Sequence, residues 1–380
     1  MGVASKLKDG FLSAFCLFLI GGAGFVVNVG QLLALVILPF DRHLFRSIST
    51  WLGSGFMIAG PFLLEDWGGC KFSAYGEQAP PDSKVLIVVN HGTDMDWAGG
   101  LSYLARLGEP FPGGAKAIAK DTLMYIPIFG WLTYFLEFMY VKRDWESDKK
   151  TLTKQANQLG TSRLPFYLCL FPEGTRKTPK KHAQSQEFCK KNGYPVLNNL
   201  LYPRFKAFTL IAMTMRDQID GVIDATFAFE GEHPNMSKSL SRKLSCRCNL
   251  ICQYHPMNEL PEGEEELEEW LRNTWVKKDA LLDEVLKDQE AFCSKQRKYE
   301  WKQEPLDYTK FFALVGVFCF FLVGLSVLMI VNKIIRRGVL VISVITWVAV
   351  VAALVINIRP SKVGEKKPDP ETSSRRKKAD

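Results

Sequence analysis

The sequence predicts an α/β protein, a mixed, largely parallel sheet flanked by helices, with N-terminal membrane helices and a C-terminal transmembrane hairpin. Three observations carry this expectation. Val85 to Val89 and Pro165 to Phe171 are short, unbroken apolar runs, which suits strands covered on both faces, as in a parallel sheet. Helical stretches alternate with such runs through the middle of the chain, the signature of an α/β sheet. The longest apolar stretches stand near the two ends of the 380-residue chain, leaving room between them for one core domain.

From the N-terminus, Phe11 to Phe40 has only Ser13, Asn28 and Gln31 as clearly polar residues. It is long enough to cross or deeply enter a bilayer and too long for a removable signal peptide. After the basic run Asp41 to Arg46, the segment from Ile48 to Leu64 mixes Trp51, Phe56, Met57 and Phe62 with Ser and Gly, and reads as an interfacial or packed helix. Val85 to Val89 is a buried strand that leads into Asn90-His91-Gly92-Thr93-Asp94-Met95-Asp96. Gly92 makes the turn, Thr93 is a good N-cap, and Trp97 to Leu107 continues as helix.

Ala115 to Ala119 is the next strand, followed by a kinked apolar helical stretch from Asp121 to Leu136, interrupted by Pro127 and Gly130. Phe138 to Val141 returns as a strand ending at Lys142-Arg143, and Ser147 to Leu159 is an amphipathic helix. Pro165 to Phe171 is a strand ending in Pro172-Glu173-Gly174-Thr175-Arg176. Leu210 to Met215 reads as helix, Val222 to Phe229 as strand, and Glu264 to Lys287 as an amphipathic helix with acids first and lysines later. Phe311 to Val331 and Val339 to Ile356, joined by a loop with Lys333, Arg336 and Arg337, form the membrane hairpin.

Basic residues flank that hairpin, Arg297, Lys298, Lys302 and Lys310 before it and a Lys- and Arg-rich tail after it. The positive-inside rule therefore places both flanks in the cytosol. The ending Lys377-Lys378-Ala379-Asp380 resembles a dilysine retrieval signal, pointing to the endoplasmic reticulum membrane, a catalytic domain facing the cytosol and a retrieval receptor as partner. The expected divisions are 1–65 (anchoring helices), 66–305 (cytosolic catalytic domain), 306–358 (hairpin) and 359–380 (disordered basic tail).

A net charge of +8 with no nucleic-acid module fits a protein that meets anionic lipid headgroups, not nucleic acid. Nine cysteines without a paired framework fit a reducing compartment. Cys246, Cys248, Cys252 and His255 admit a metal cluster, but the three cysteines also share one face of a strand at period two, the favoured reading. The sequon at Asn235 falls on the cytosolic side and is expected to be unmodified.

The chemistry gathers around His91. His91 and Asp96 lie about 140° apart on an ideal helix, so they meet only if His91 precedes the helix. Asp96 then accepts the Nδ1 proton and leaves Nε2 as a general base for a substrate hydroxyl. Thr93 with Asp96 also fits a capping box, and Asp94 with Asp96 fits a D-x-D metal pair, as in sugar-nucleotide transferases. Ligands gather at the carboxyl ends of strands in such sheets. His91 with Asp96, Lys142 with Arg143, and Glu173 to Arg176 are therefore expected to converge on one crevice. Gly174 allows close backbone approach, and Arg176 offers a forked donor set for phosphate.

Asn90-His91-x4-Asp96 followed by Phe171-Pro172-Glu173-Gly174-Thr175-Arg176 resembles the glycerolipid acyltransferase superfamily, named for 1-acylglycerol-3-phosphate acyltransferases. The shared core runs from about Phe11 to Pro261. Lys120 matches the family's lysine-containing second strand. Glu137-Phe-Met-Tyr-Val-Lys142-Arg143 stands where the family has G-x-x-F-I-x-R, with Glu137 in place of Gly. That departure, Tyr202 to Phe208 with Arg204, and Asp224 to Thr226 look like the animal-type branch that includes lysocardiolipin acyltransferase.

The resemblance implies transfer from acyl-CoA, a co-substrate with no further cofactor and no metal, to the free sn-2 hydroxyl of 1-acylglycerol-3-phosphate, giving phosphatidate. His91 and Asp96 would be catalytic. Lys120, Lys142, Arg143, Glu173, Gly174, Thr175, Arg176 and Arg204 would form the acceptor and phosphate site. Lysophosphatidylinositol or lysocardiolipin is the alternative acceptor. A metal-dependent glycosyltransferase and an inactive lipid-binding scaffold are the other classes.

Overall fold

The computed structural model describes residues 3–332, apart from 109–111, 289–290, 293, 295–299 and 301–304, together with Arg337 and Ile345. The basic residues expected before the hairpin at 297, 298 and 302, most of the second hairpin arm and the dilysine tail lie outside the described residues. The chain divides into two compact units, Met1–Ser326 and Val327–Asp380. The first holds the sheet.

In chain order the elements are α1 (Val3–Ala34), α2 (Arg42–Met57), β1 (Lys71–Gly76), β2 (Lys84–Val89), α3 (Asp96–Ala105), β3 (Ala115–Lys120), α4 (Phe129–Phe135), β4 (Met139–Val141), α5 (Trp145–Gly160) and β5 (Phe166–Leu170). Then follow α6 (Pro179–Asn192), α7 (Lys206–Thr214), β6 (Gly221–Gly231), α8 (Met236–Leu240), β7 (Cys246–Pro256), α9 (Glu264–Lys287) and α10 (Thr309–Val331). A 3-10 turn at Asp121–Tyr125 precedes α4, and a short helical and π-helical run from Ala59 to Asp66 follows α2.

The seven strands are ordered β1-β7-β6-β2-β5-β3-β4. All neighbours are parallel except β6 and β7. The sheet is thus mixed and largely parallel, as the unbroken apolar strands imply. The central strand β2 shows why its run has no polar alternation. Val85, Ile87 and Val89 face one core with Tyr103, Tyr167 and Phe227. Leu86 and Val88 face another with Leu168, Phe208, Leu271 and Trp275. Each fully buried Val or Leu contributes about 1.5–3 kcal/mol.

α9 is tied across the back of the sheet by polar contacts as well. Lys278, buried beside the Trp275 ring, pairs with Asp224 and donates to the Ala225 carbonyl on β6. The sequence reading omitted β1, α6 and α8 and placed the helix after His91 one residue late. Cys246, Cys248 and Cys252 all lie on β7, the latter two buried.

Three helical stretches, α1, Arg42–Asp66 and α10, are long and apolar enough to cross a membrane. They make this a membrane-associated chain. In the most apolar window of Arg42–Asp66, 78% is buried within the protein, against 6% for α10, so α2 and its extension are packed against the rest of the protein.

The link between α2 and the sheet explains one departure in the sequence. Glu137, just before β4, has φ +60, a left-handed conformation that a glycine takes without steric cost. Its carboxylate accepts from Arg46 Nε at 2.9 Å and Nη2 at 2.8 Å, while Arg46 also reaches Thr161 Oγ1 and the Gln158 carbonyl. Arg46 is buried, and the bidentate pair offsets the backbone cost. Glu137→Ala and Glu137→Gly both lose the pair, but only glycine relieves the backbone. The alanine variant should therefore be less stable by about 1 kcal/mol. Thermal midpoints in detergent check this, and equal midpoints would show an unstrained Glu137.

Candidate active site

The site begins where β2 leaves the sheet. Main-chain pairing of β2 with β6 ends at Val89 and Ala225. Asn90 extends it with its side chain, donating Nδ2 to the Phe227 carbonyl at 3.1 Å and accepting the Phe227 N–H at 2.8 Å. The main chain is thereby released to turn. The His91 N–H donates to Glu173 Oε1 at 3.1 Å, and the His91 carbonyl accepts from the Lys177 N–H at 2.9 Å.

His91 Nδ1 lies 2.8 Å from Asp96 Oδ2. Asp96 is buried, and its carboxylate also accepts the Thr93 N–H at 3.0 Å and the Thr93 hydroxyl at 2.6 Å. The hydroxyl in turn accepts the Met95 N–H at 3.1 Å. Thr93 therefore closes a turn ahead of α3 but is not its N-cap: that position is Met95, which makes no side-chain cap bond, because the helix starts only at Asp96. The imidazole lies against the Phe171 ring, centroids 4.4 Å apart. With the oriented Nδ1–H directed at Asp96, Nε2 is the basic nitrogen.

Asp94 does not share a site with Asp96. It accepts the Met236 N–H at 3.3 Å and faces Arg176 Nη1 at 3.7 Å. The carboxylates of the D-x-D reading thus serve different partners.

Glu173 follows the same strand-end logic on β5. It is buried, its Oε1 holding His91 and its Oε2 accepting the Leu201 N–H at 3.3 Å. Each oxygen accepts one backbone amide, so this carboxylate positions the His91 peptide from the wall of the cavity described below. Burial pushes its pKa up to about 8, although the two amide hydrogen bonds pull it down. Gly174 has φ +67, and a Cβ there would stand 3.2 Å from Arg204 Cδ, so the turn is open to glycine alone without strain. The Arg204 N–H donates to the Pro172 carbonyl at 2.8 Å, bringing its side chain over that turn. Thr175 Oγ1 is bonded by Lys181.

The structure therefore groups His91, Asp96, Glu173, Gly174, Thr175, Arg176 and Arg204. Lys120, Lys142 and Arg143 stand at the same edge of the sheet, but β5 and β3 intervene between β2 and β4. Lys142 and Arg143, after β4, stand three strand spacings from β2, about 14 Å, whereas Lys120 ends β3, the strand next to β5. No hydrogen bond or ion pair joins these three to His91, Glu173 or Arg176 among the described residues. Lys142 and Arg143 thus stand to one side of the group around His91, with Lys120 between them.

A cavity beside His91 and Glu173 includes residues that the sequence reading passed over. Lys177 lines it and bonds the Asn199 carbonyl. His233, against the Phe229 ring at 5.4 Å, lines it too. Burial, with a smaller contribution from Lys177, holds the His233 pKa below its ordinary value. The available signal was position: His233 follows β6, the neighbour of β2, as His91 follows β2. Leu282, Val285 and Leu286 from the last turns of α9 form the apolar wall.

A His–Asp pair at a strand's carboxyl end, in a chain with membrane-length apolar helices, is joined by matches that place the chain among the acyltransferases. A family model described as Acyltransferase matches residues 71–204, and one described as Acyltransferase C-terminus matches residues 238–313. The chain is 31% identical over 296 residues to 1-acyl-sn-glycerol-3-phosphate acyltransferase delta of Homo sapiens, covering 75% of this chain and 76% of that one. It is 33% identical over 291 residues to the delta enzyme of Rattus norvegicus, with the same coverage. It is 30% identical over 304 residues to the gamma enzyme of Mus musculus, covering 78% and 80%. The crystal structure of the 1-acyl-sn-glycerophosphate (LPA) acyltransferase PlsC from Thermotoga maritima covers 74% of this chain and 97% of its own, at 18% identity and a TM-score of 0.45. The chain belongs to the 1-acyl-sn-glycerol-3-phosphate acyltransferase family.

Two measurements follow from this geometry. Asp96→Asn cannot hold the required tautomer as a carboxylate does and should lower kcat about 100- to 10,000-fold with the fold retained. Steady-state acyl-transfer kinetics and a thermal midpoint check it. Glu173 binds its proton more tightly folded than unfolded, so its contribution to stability is full below the ordinary glutamate value of 4.5 and is lost as pH rises through about 8. Midpoints measured from pH 5 to 8 should fall less with pH in Glu173→Gln than in the unsubstituted protein; parallel profiles would exclude Glu173 as the source.

Proposed function

We propose that this chain transfers the acyl group of acyl-CoA to the sn-2 hydroxyl of 1-acylglycerol-3-phosphate, forming phosphatidate. The observation that carries the reading is the 2.8 Å contact between His91 Nδ1 and the buried, fully partnered Asp96 carboxylate. His91 Nε2 takes the proton of the acceptor hydroxyl as its oxygen attacks the thioester carbonyl. The tetrahedral intermediate collapses with cleavage of the C–S bond, and the imidazolium returns its proton to the departing CoA thiolate. One C–O bond forms, one C–S bond breaks, and the base is regenerated.

Arg176 and Arg204, on either side of the Gly174 turn, hold the acceptor phosphate. Lys120, Lys142 and Arg143 supply the outlying positive group. Glu173 fixes the peptide of the base. Holding both substrates against His91 contributes a rate effect comparable with or larger than the proton transfer itself. The reading requires no metal or additional cofactor. The catalytic domain, residues 66–305, faces the cytosol on the endoplasmic reticulum membrane, between anchoring helices (1–65) and the hairpin (306–358), with a dilysine receptor reading the tail (359–380). Support for that placement comes from the flanking charges and the C-terminal lysines.

The test is thiol-detected CoA release by purified membranes given oleoyl-CoA and a panel of lysophospholipids. Release is expected to be strongest with 1-acylglycerol-3-phosphate and to fall about 100-fold or more in His91→Ala. Strongest release with lysophosphatidylinositol or lysocardiolipin would reassign the acceptor. Undiminished release in the folded variant would remove His91 as the base.

A further inference from the structure

The segment joining β3 to β4 carries a surface that the crevice does not use. Tyr125 and Ile126 are 68% and 36% exposed, and Pro127 beside them is exposed too. In α4, Trp131 and Tyr134 lie three residues apart on one face and are 55% and 57% exposed, while Gly130, Leu132 and Thr133 turn inward. The helix thus points its aromatic side outward. A contiguous aromatic and aliphatic patch of this kind on a protein surface marks an interaction site.

The patch is held firmly against the membrane-length helices. Ile128, with φ +68 at the N-cap of α4, is a β-branched residue in a conformation that such residues rarely adopt. Its Cγ2 fills a notch at Gly24 of α1, where a Cβ would come within 2.4 Å. Beside Gly24, Phe25 is left exposed on α1. α4 also meets α2, where Phe45 and Phe135 pack edge to face with centroids 6.1 Å apart. On α2, Leu44 and Trp51, seven residues apart and so on one face, are exposed. The apolar surface of the β3–β4 segment thus continues onto α1, one of the helices that associate the chain with a membrane.

We propose that Tyr125 to Tyr134 is a leaflet-inserting element whose partner is the interfacial layer of a phospholipid bilayer. Tyr and Trp rings, apolar in body and polar at one edge, settle at headgroup depth, as Tyr125, Trp131 and Tyr134 would beside α1. Lys120 and Lys142-Arg143 bracket the segment in the chain, and cations flanking an inserted segment favour anionic headgroups.

The inference is independent of the acceptor's identity, because its primary test needs no turnover. A nitrobenzoxadiazole label is attached at Trp131→Cys in the full-length protein in phosphatidylcholine–phosphatidylserine proteoliposomes, with the unsubstituted chain giving the background from native thiols. A label at Lys190→Cys on the exposed face of α6 is the reference. Quenching by brominated lipid at position 131 is expected to exceed the reference about threefold or more. Quenching equal to the reference, whether the label is open to aqueous iodide or shielded from it by a second protein chain, overturns the proposal. In a second measurement, Trp131→Lys with Tyr134→Lys should raise the KM for bilayer-presented acceptor about tenfold and leave the KM in detergent micelles unchanged. An equal loss in both would assign these residues to the fold alone.

Discussion

The site depends on one constraint: the peptide of His91 must leave the sheet and still have every backbone group bonded. Asn90 continues the pairing with β6 by its side chain, so the main chain can turn away. The N–H thus freed is taken by Glu173, and the carbonyl by the amide of Lys177. Both come from the turn after β5, so His91 is held by the neighbouring strand's loop as much as by its own. Glu173 also holds Leu201, whose loop is anchored through Asn198, Asn199 and Leu200 to the Asp279 carboxylate on α9. A helix far along the chain is thereby connected by hydrogen bonds to the peptide of His91.

The two buried carboxylates at the centre differ in what compensates their burial. Asp96 accepts from a backbone amide, a hydroxyl and the imidazole, a set that satisfies both oxygens and stabilises positive charge on His91 when it forms. Glu173 has only two backbone amides, and burial prevails over them, pushing its pKa up to about 8. A neutral or readily neutralised Glu173 adds little negative charge beside the imidazole. The division of labour follows: one carboxylate carries electrostatics, the other carries geometry.

Much of this was legible in the sequence because apolar runs and strand-end polar residues obey simple rules. β2 and β5 could be read from unbroken hydrophobicity, and α9 from its periodicity and acidic start. Helix geometry set the condition for the His91–Asp96 contact, that His91 precede the helix, and the structure meets it. β1 was not legible, since Lys71 to Gly76 has neither clean alternation nor a long apolar run; it is a strand because β7 pairs with it along its length. α6 is mostly polar, and its signals were only the Thr178 cap, Pro179 and Gly193. Strand order is set by tertiary pairing, so nothing in the local sequence placed β3 between β5 and β4 or held Lys142 and Arg143 away from His91.

Glu173 illustrates why a motif does not declare its own roles. A conspicuous acid followed by glycine, threonine and arginine looks like a set of ligand groups, yet its carboxylate holds two backbone amides while the nearby arginine stays open to solvent. Thr93 and Asp96 illustrate the converse. A capping interaction and a catalytic orientation looked like competing accounts of the same spacing, but a carboxylate has two oxygens and about four lone-pair sites. Asp96 can close the turn before α3 with one set and hold the imidazole with another. The turn makes the orientation rigid: fixing Asp96 at the first residue of α3 fixes where His91 Nδ1 must point.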